Sequence, residues 1–415
     1  MKTDRITRNT RLAGGTIMFL FIGLIYAWSI FRAPLIELFP GWTPTKISMT
    51  FTISMIFFSA AIFVSGQLAL KISGQKIIRI AALIILVGFA LLTFLLNPEA
   101  EDRSLYILYI FYGVFCGTGV GLTYNAILSS ITKWYPGRTG TATGVMMLGF
   151  GVGGIVLGSI VSFMVGRLGI IPVFLILGII LAAIMLSLSF LIKVPEPDKP
   201  DIINLNDTDE RPPGPECIRN YTLSEMLKTS SFWVYFLWTT TIATGGLLVV
   251  NIAANIAVFF GAPAVLGLVV SMFNGVGRFS LGVVFDWVGR AKAIYIDNTF
   301  MLLGGLALML GAVTGHVALI FIGLPLVGIA FGGGPTISSA VIMKFFGPKN
   351  FSANFGAVSF AVLPASIIGP LVSSRLQELS GGEYFTTFIM LVIIGLASML
   401  INYIVGVISK KAGLE

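Results

Sequence analysis

Charged side chains are scarce in this sequence, with Asp, Glu, Lys and Arg making up 11% of its 415 residues, against about 25% in soluble domains. So few charges could not cover the water-facing surfaces of the two or three domains expected of a soluble chain this long. Cysteine is nearly absent. Cys116 lies inside an apolar run and Cys217 in a polar segment, which offers no disulfide framework. The single histidine, His316, leaves no His/Cys set for a metal. No glycine-rich loop ends in Lys-Ser/Thr to hold a nucleotide, and no cofactor is expected. No two carboxylates are placed together in an apolar run and no nucleophile stands beside a base, so the chain does not read as an enzyme. The net charge of +8 does not point to nucleic acid, because the basic residues form neither a patch nor a stripe.

Apolar residues are what the chain has in excess: 56% of it is hydrophobic, with a mean hydropathy of +0.96. Runs of about 20 residues, enough to cross a bilayer, recur at 12–32, 47–70, 77–96, 105–132, 141–166, 170–192, 232–257, 265–288, 293–313, 317–343, 352–374 and 385–408. They predict an all-α membrane protein with twelve transmembrane helices. The first run follows a basic amino terminus (Lys2, Arg5, Arg8, Arg11) and reads as an uncleaved span.

Loop charges orient the helices. Lys71, Lys76, Arg79, Lys133, Arg138, Arg290, Lys292, Lys344, Lys349, Lys410 and Lys411 fall on the side of the amino terminus. Glu99, Glu101 and Asp102 fall on the other, with Arg32, Arg167 and Arg375 as its few cations. Both termini are therefore expected in the cytoplasm, and the short termini suit a prokaryotic inner membrane. A Pro- and Asp-rich stretch divides the chain into a bundle at 1–193, a cytoplasmic linker at 194–230 with a helical piece near Leu223–Lys228, and a second bundle at 231–415.

The two parts resemble each other. Ile131-Thr-Lys133-Trp134-Tyr135 with Gly144 answers Ile342-Met-Lys344-Phe345-Phe346 with Gly356, and Gly66-Gln-Leu-Ala-Leu70-Lys with Lys76 answers Gly282-Val-Val-Phe-Asp286-Trp with Lys292. Two pseudo-symmetric six-helix bundles suggest a transporter that rocks about a site at their interface. Glycine, 48 residues, recurs at four-residue spacing at Gly113, Gly117 and Gly121, at Gly149 and Gly153, and at Gly154 and Gly158, with a cluster at Gly328 and Gly332–Gly334. Such stripes let helices approach closely, and serve either static packing or a sliding surface.

Arg278 is the strongest single candidate. It stands near the middle of the 265–288 run, where a cation costs about 2.5–3.5 kcal/mol on insertion scales. A guanidinium there either binds a carboxylate through paired hydrogen bonds or is satisfied by backbone carbonyls. Asn274, four residues earlier, shares its helix face. Asp286 and Arg290, at the end of that run, form either an inner gate or a solvated turn. Tyr26, Trp28, Tyr124 and Asn125 lie deep in their runs, placed to line a pathway or to pack. Asp297, near the start of the 293–313 run, could carry a proton, but its depth reads as interfacial, and His316 reads as a loop residue and not a proton relay.

The stretch Gly282-Val-Val-Phe-Asp286-Trp-Val-Gly289-Arg290-Ala-Lys292 resembles the loop motif of the major facilitator superfamily. The twelve-span duplicated layout agrees with it along the whole chain. The copy in the first bundle departs, with Leu70 in place of the acid. Tyr26-Ala-Trp28-Ser-Ile-Phe, Gly117-Thr-Gly-Val-Gly-Leu-Thr-Tyr124, Trp134-Tyr-Pro, Phe273-Asn274-Gly-Val-Gly-Arg278 and Asn354-Phe-Gly356 are similar to motifs of the oxalate/formate antiporter and the wider monocarboxylate transporter family. This resemblance implies that Arg278 binds a substrate carboxylate, that Tyr26 and Tyr124 line the same cavity, and that Asp286 and Arg290 gate it from the cytoplasm.

Departures from the oxalate pattern are informative. Val362 stands where that pattern has a lysine for a second carboxylate. Phe150, Phe331, Pro335 and Ser359 replace bulkier or more polar aromatics. One fixed cation in a more apolar lining suits one carboxylate with a short tail. Asn274 stands where eukaryotic-type relatives often have an aspartate, and a guanidinium does not release its proton, so the coupling group is unassigned. The reading is a monomeric carrier in the lipid bilayer that moves a small monocarboxylate such as lactate or pyruvate by alternating access, with proton symport favoured over exchange for a counter-anion. Arg278 binds, Asn274, Tyr124 and Asn125 orient, and Phe150, Phe331 and Phe360 contact the tail. The alternatives are an organic-anion antiporter and a carboxylate-binding membrane receptor.

Overall fold

The computed structural model describes residues 2–69, 71–135, 139–194, 220–347 and 349–411. Leu70, most of the linker and Cys217 lie outside them, so the departure at Leu70 has no structural counterpart here. Eleven runs among the described residues are helical, long and apolar enough to span a membrane. One of them, Ala264–Thr314, has 51 residues and would reach about 75 Å if straight, more than twice the roughly 30 Å of a bilayer's hydrocarbon. It turns back at Gly289, whose φ of 76° and ψ of 176° belong to a region open only to glycine. That turn restores the expected twelve helices.

In chain order these are α1 (Thr7–Leu38), α2 (Pro44–Leu68), α3 (Gly74–Leu95), α4 (Glu101–Trp134), α5 (Thr141–Leu168), α6 (Ile170–Ser189) and α7 (Ser230–Phe259). Then follow α8 (264–288) and α9 (290–314) on either side of Gly289, α10 (Val317–Phe346), α11 (Phe351–Leu379) and α12 (Phe385–Lys411). They form two six-helix bundles. Before α7, the helical piece of the linker is Leu223–Leu227, closed by a capping box between Thr222 and Glu225, which satisfies two otherwise orphaned backbone donors.

Burial sorts the helices into inner and outer ones. Of the apolar window in each, 83% is buried in α7 and 78% in α1, but only 44% in α3 and α6 and 39% in α12. The outer helices show large apolar side chains such as Phe94, Leu186 and Leu400 to their surroundings, as a hydrocarbon solvent requires.

The glycine stripes divide between two roles. A Cβ on Gly117 or Gly121 would fall 2.4 Å from Ser54 O or 2.3 Å from Phe58 O, and one on Gly149 or Gly153 2.4 Å from Thr16 O or 2.0 Å from Leu20 O. These pack α4 on α2 and α5 on α1 within the first bundle. The other face of α5 meets the second bundle. A Cβ on Gly151 would fall 2.1 Å from Gly275 N, and one on Gly154 2.8 Å from the Ser271 Cβ. One helix thus carries a packing stripe and an interface stripe on different faces.

Two further layers join the bundles. On the face opposite the termini, Ser48 and Ser374 share a hydrogen bond of 3.0 Å, Thr52 donates to Ser366 O at 3.1 Å, and Asn251 donates to Ser48 Oγ at 3.2 Å. Arg32 completes this layer, its Nη1 donating to Asn251 O at 3.0 Å. It is 1% exposed and lies inside α1, which continues to Leu38, so it is not the loop cation expected from the charge pattern. On the face of the termini, Thr141 donates to Asp286 at 3.3 Å, and a Cβ on Gly66 would fall 2.6 Å from Ser352 O.

Candidate functional site

Between those two layers lies a cavity walled by residues of α1, α2, α4, α7, α8, α10 and α11. Helical regularity fails at its level. Gly23–Ala27 forms a 3-10 turn inside α1 and α11 breaks between Ser359 and Val362, while Pro335 stands within a continuous α10. Irregular backbone at membrane depth is tolerated where it lines a cavity or is buried in protein.

Arg278 enters this cavity from α8 and is 1% exposed. Its Nε donates to Asn274 Oδ1 at 2.9 Å, its Nη1 to Tyr124 OH at 3.3 Å and its Nη2 to Tyr26 OH at 3.2 Å. The Asn274 bond follows from the one-turn spacing on α8. The phenols arrive from the other bundle, on α1 and α4. Phe150 of α5 lies beneath the guanidinium with its centroid 4.9 Å from Cζ, close enough for a cation–π contact, and packs edge-on against Tyr26 at 5.0 Å. No carboxylate pairs with Arg278 among the described residues. Of the five N–H donors of a guanidinium three are engaged, which leaves two for a ligand.

The remaining wall is apolar or weakly polar, with Phe331 and Pro335 from α10, Ile242 from α7, and Val358 and Val362 from α11. Arg278 is the one cation among the lining residues. Such a site can hold one anionic head through charge-assisted hydrogen bonds and press a short apolar remainder against Phe331 and Val362.

Two expected site residues stand elsewhere. Asn125 is buried, but its Nδ2 donates to Ile62 O at 2.8 Å and reaches Ser352 O at 3.5 Å. It joins α4 to α2 and α11 and does not face the cavity. Phe360 packs on Phe63, ring centroids 5.0 Å apart. The cavity face of α11 is carried by Phe355, Val358, Ser359 and Val362, and Phe360, the next residue after Ser359 at the helix break, points off that face. Trp28 also turns inward, its ring 4.7 Å from that of Tyr112 in the first bundle.

Asp286 reaches the other bundle through Thr141. Arg290 is buried and its Nη1 donates to Asn402 Oδ1 of α12 at 3.1 Å, within its own bundle. Asp297 is fully buried in the protein, and because α9 begins directly after Gly289 it lies two turns inside that helix. Sequence reasoning missed Arg32 and Asn251, for which the only signal was polarity near the end of an apolar run.

The sequence profile of the Major Facilitator Superfamily matches residues 12–370. The chain is 26% identical over 362 residues to "Uncharacterized MFS-type transporter YhjX" of Escherichia coli (strain K12), covering 85% of this chain and 84% of that protein. It is 26% identical over 366 residues to the oxalate:formate antiporter of Oxalobacter formigenes, covering 85% of this chain and 81% of the relative. Its structure is similar to that of the proton:xylose symporter XylE bound to 6-bromo-6-deoxy-D-glucose, with a TM-score of 0.76 over 96% of both chains and 14% identity. At that identity the likeness is one of fold.

Proposed function

From the premise that the chain belongs to the major facilitator superfamily, we propose that this multi-pass membrane transporter carries a small monocarboxylate of the lactate or pyruvate class by alternating access, together with a proton. The observation that carries the reading is Arg278, a buried guanidinium held by three neutral partners, without a carboxylate partner, and facing a cavity with no second cation. A buried charge left without a partner is costly, and a carboxylate that takes the two free donors relieves that cost. Asn274, Tyr26 and Tyr124 hold the guanidinium fork in place, and Phe150 supports it from below. Phe331 and Val362 receive the tail.

In this reading residues 1–193 and 231–415 rock against each other, tethered by the linker at 194–230. The Ser48–Ser374 layer closes one mouth and the Asp286–Thr141 contact the other. The transporter acts as a monomer in a cell inner membrane with both termini in the cytoplasm. Anion exchange is the second reading, favoured by the relative named as an oxalate:formate antiporter.

Counterflow of labelled lactate in proteoliposomes tests the assignment. Losing one member of a buried charged pair costs about 2–5 kcal/mol, so Arg278→Ala abolishes uptake while the protein still inserts. Arg278→Lys, which keeps the charge but loses the fork, reduces uptake at least about tenfold. Transport unchanged in either variant removes Arg278 from the site. An imposed pH gradient separates the two readings, because symport uses it to accumulate label against the label's own concentration gradient and exchange ignores it.

A further inference from the structure

The carboxylate site leaves one buried acid unused. Asp297 of α9 is 0% exposed, and neither of its oxygens has a hydrogen-bond partner among the described residues. It sits against the back of the cavity wall. A Cβ on Gly333 of α10 would fall 2.1 Å from Asp297 Oδ1 and 3.0 Å from its Cγ. One residue earlier, a Cβ on Gly332 would fall 2.0 Å from Asn274 O and 3.0 Å from Arg278 N. One residue later, Gly334 lines the cavity. Three consecutive glycines therefore set the arginine helix, the buried acid and the substrate space around a single turn of α10, with no side chain between them.

The surroundings of Asp297 contain few groups able to share its charge. From α7, Tyr235 lies within electrostatic range of both Asp297 and Arg290, and its hydroxyl bonds to Ser338 Oγ at 3.0 Å, itself a cavity residue. On its own helix, Arg290 stands two turns earlier with Nη1 committed to Asn402. At Gly333, α8 contributes Leu281, and α12 has no titratable residue between Phe385 and Asn402. An ionised carboxylate without a donor in such a place is expensive, whereas the neutral acid is far less so. The closed arrangement thus selects the protonated form, and ionisation requires a rearrangement that admits water or a donor.

We propose that Asp297 is the proton-binding site that couples transport, taking one proton onto its carboxylate as the cavity closes around substrate and releasing it when α9 and α10 part. The substrate anion on Arg278 brings one negative charge and the proton on Asp297 one positive charge, so the loaded transition moves no net charge. This inference rests on the monocarboxylate symport reading and adds the residue that carries the proton.

Asp297→Asn, which has the shape of the neutral acid and cannot ionise, is compared with wild type in proteoliposomes. The ratio of pH-gradient-driven uptake to counterflow of labelled lactate falls at least tenfold in Asp297→Asn and is largely restored in Asp297→Glu. An unchanged ratio in Asp297→Asn overturns the proposal. So does a wild type that exchanges lactate and ignores the pH gradient, a result that leaves the carboxylate site of Arg278 standing. A second arm needs no substrate. The infrared carbonyl band of a neutral carboxylic acid is expected in purified wild type and missing in Asp297→Asn, and a band shared by both overturns the proposal even if lactate is not the cargo.

Discussion

Val362 and Arg278 reach the same cavity from different helices, and the contrast between them sets the valence of the substrate in our reading. Adding a cation opposite Arg278 supplies the counter-charge that a dicarboxylate needs. Val362→Lys is therefore expected to raise competition by oxalate against labelled lactate at least about tenfold, a change of about 1.4 kcal/mol in relative affinity. Equal competition in variant and wild type places the second carboxylate elsewhere. The pairing of Arg278 with Asn274 was legible in the sequence, because a one-turn spacing brings the two onto one helix face. Its pairing with Tyr26 and Tyr124 came only through family likeness, since nothing in local spacing relates α8 to α1 or α4. Phe360 and Asn125 were misplaced for a related reason. Depth in a run says nothing about azimuth, and in α11 a helix break turns Phe360 toward Phe63.

Among the helices, α5 shows most clearly how spacing and role come apart. Its glycine pairs at four-residue spacing left static packing and a sliding surface open, and Gly149 and Gly153 face α1 while Gly154, with Gly151 of neither pair, faces α8 of the other bundle. Gly151→Ala forces its new methyl onto Gly275 N at 2.1 Å, a contact that backbone cannot yield without moving α5 from α8. It is expected to reduce counterflow by about tenfold or more, in keeping with overpacking costs of about 1–3 kcal/mol. Gly166→Ala on the same helix, where nothing lies within 4 Å, leaves transport unchanged. Equal effects from both would indicate that helix propensity, and not the interface, is responsible. Helix boundaries were the less legible part. Composition marked the run ends of α8 and α9, but the turn lies at Gly289 itself, so Arg290 opens α9 and Asp297 lies two turns inside it.

For the molecule as a whole, the twelve spans and the duplicated layout were visible because a bilayer imposes run length directly on composition. The layer that joins the bundles on the face opposite the termini was not visible, because it rests on serines and threonines scattered across α2 and α11. That layer can be trapped. Ser48 and Ser374 hydroxyls stand 3.0 Å apart, near the geometry a disulfide needs, so the double variant Ser48→Cys/Ser374→Cys should cross-link under oxidation and stop counterflow. Reductant restores it. Full activity of the oxidised double variant would mean that this mouth does not open during transport.

The three bonds of Arg278 also bear on how the carrier behaves when it has nothing to carry. Asn274 holds the guanidinium from its own bundle, while Tyr26 and Tyr124 hold it from the other. On the proposed reading the binding residue is thus itself a tie between the two bundles, one that exists before any cargo arrives. On the symport reading such a tie lets the carrier close around an empty cavity and return unladen, which separates net flow from obligatory one-for-one trade. On that reading kinetic freedom of this kind comes from two hydroxyls of the cavity wall.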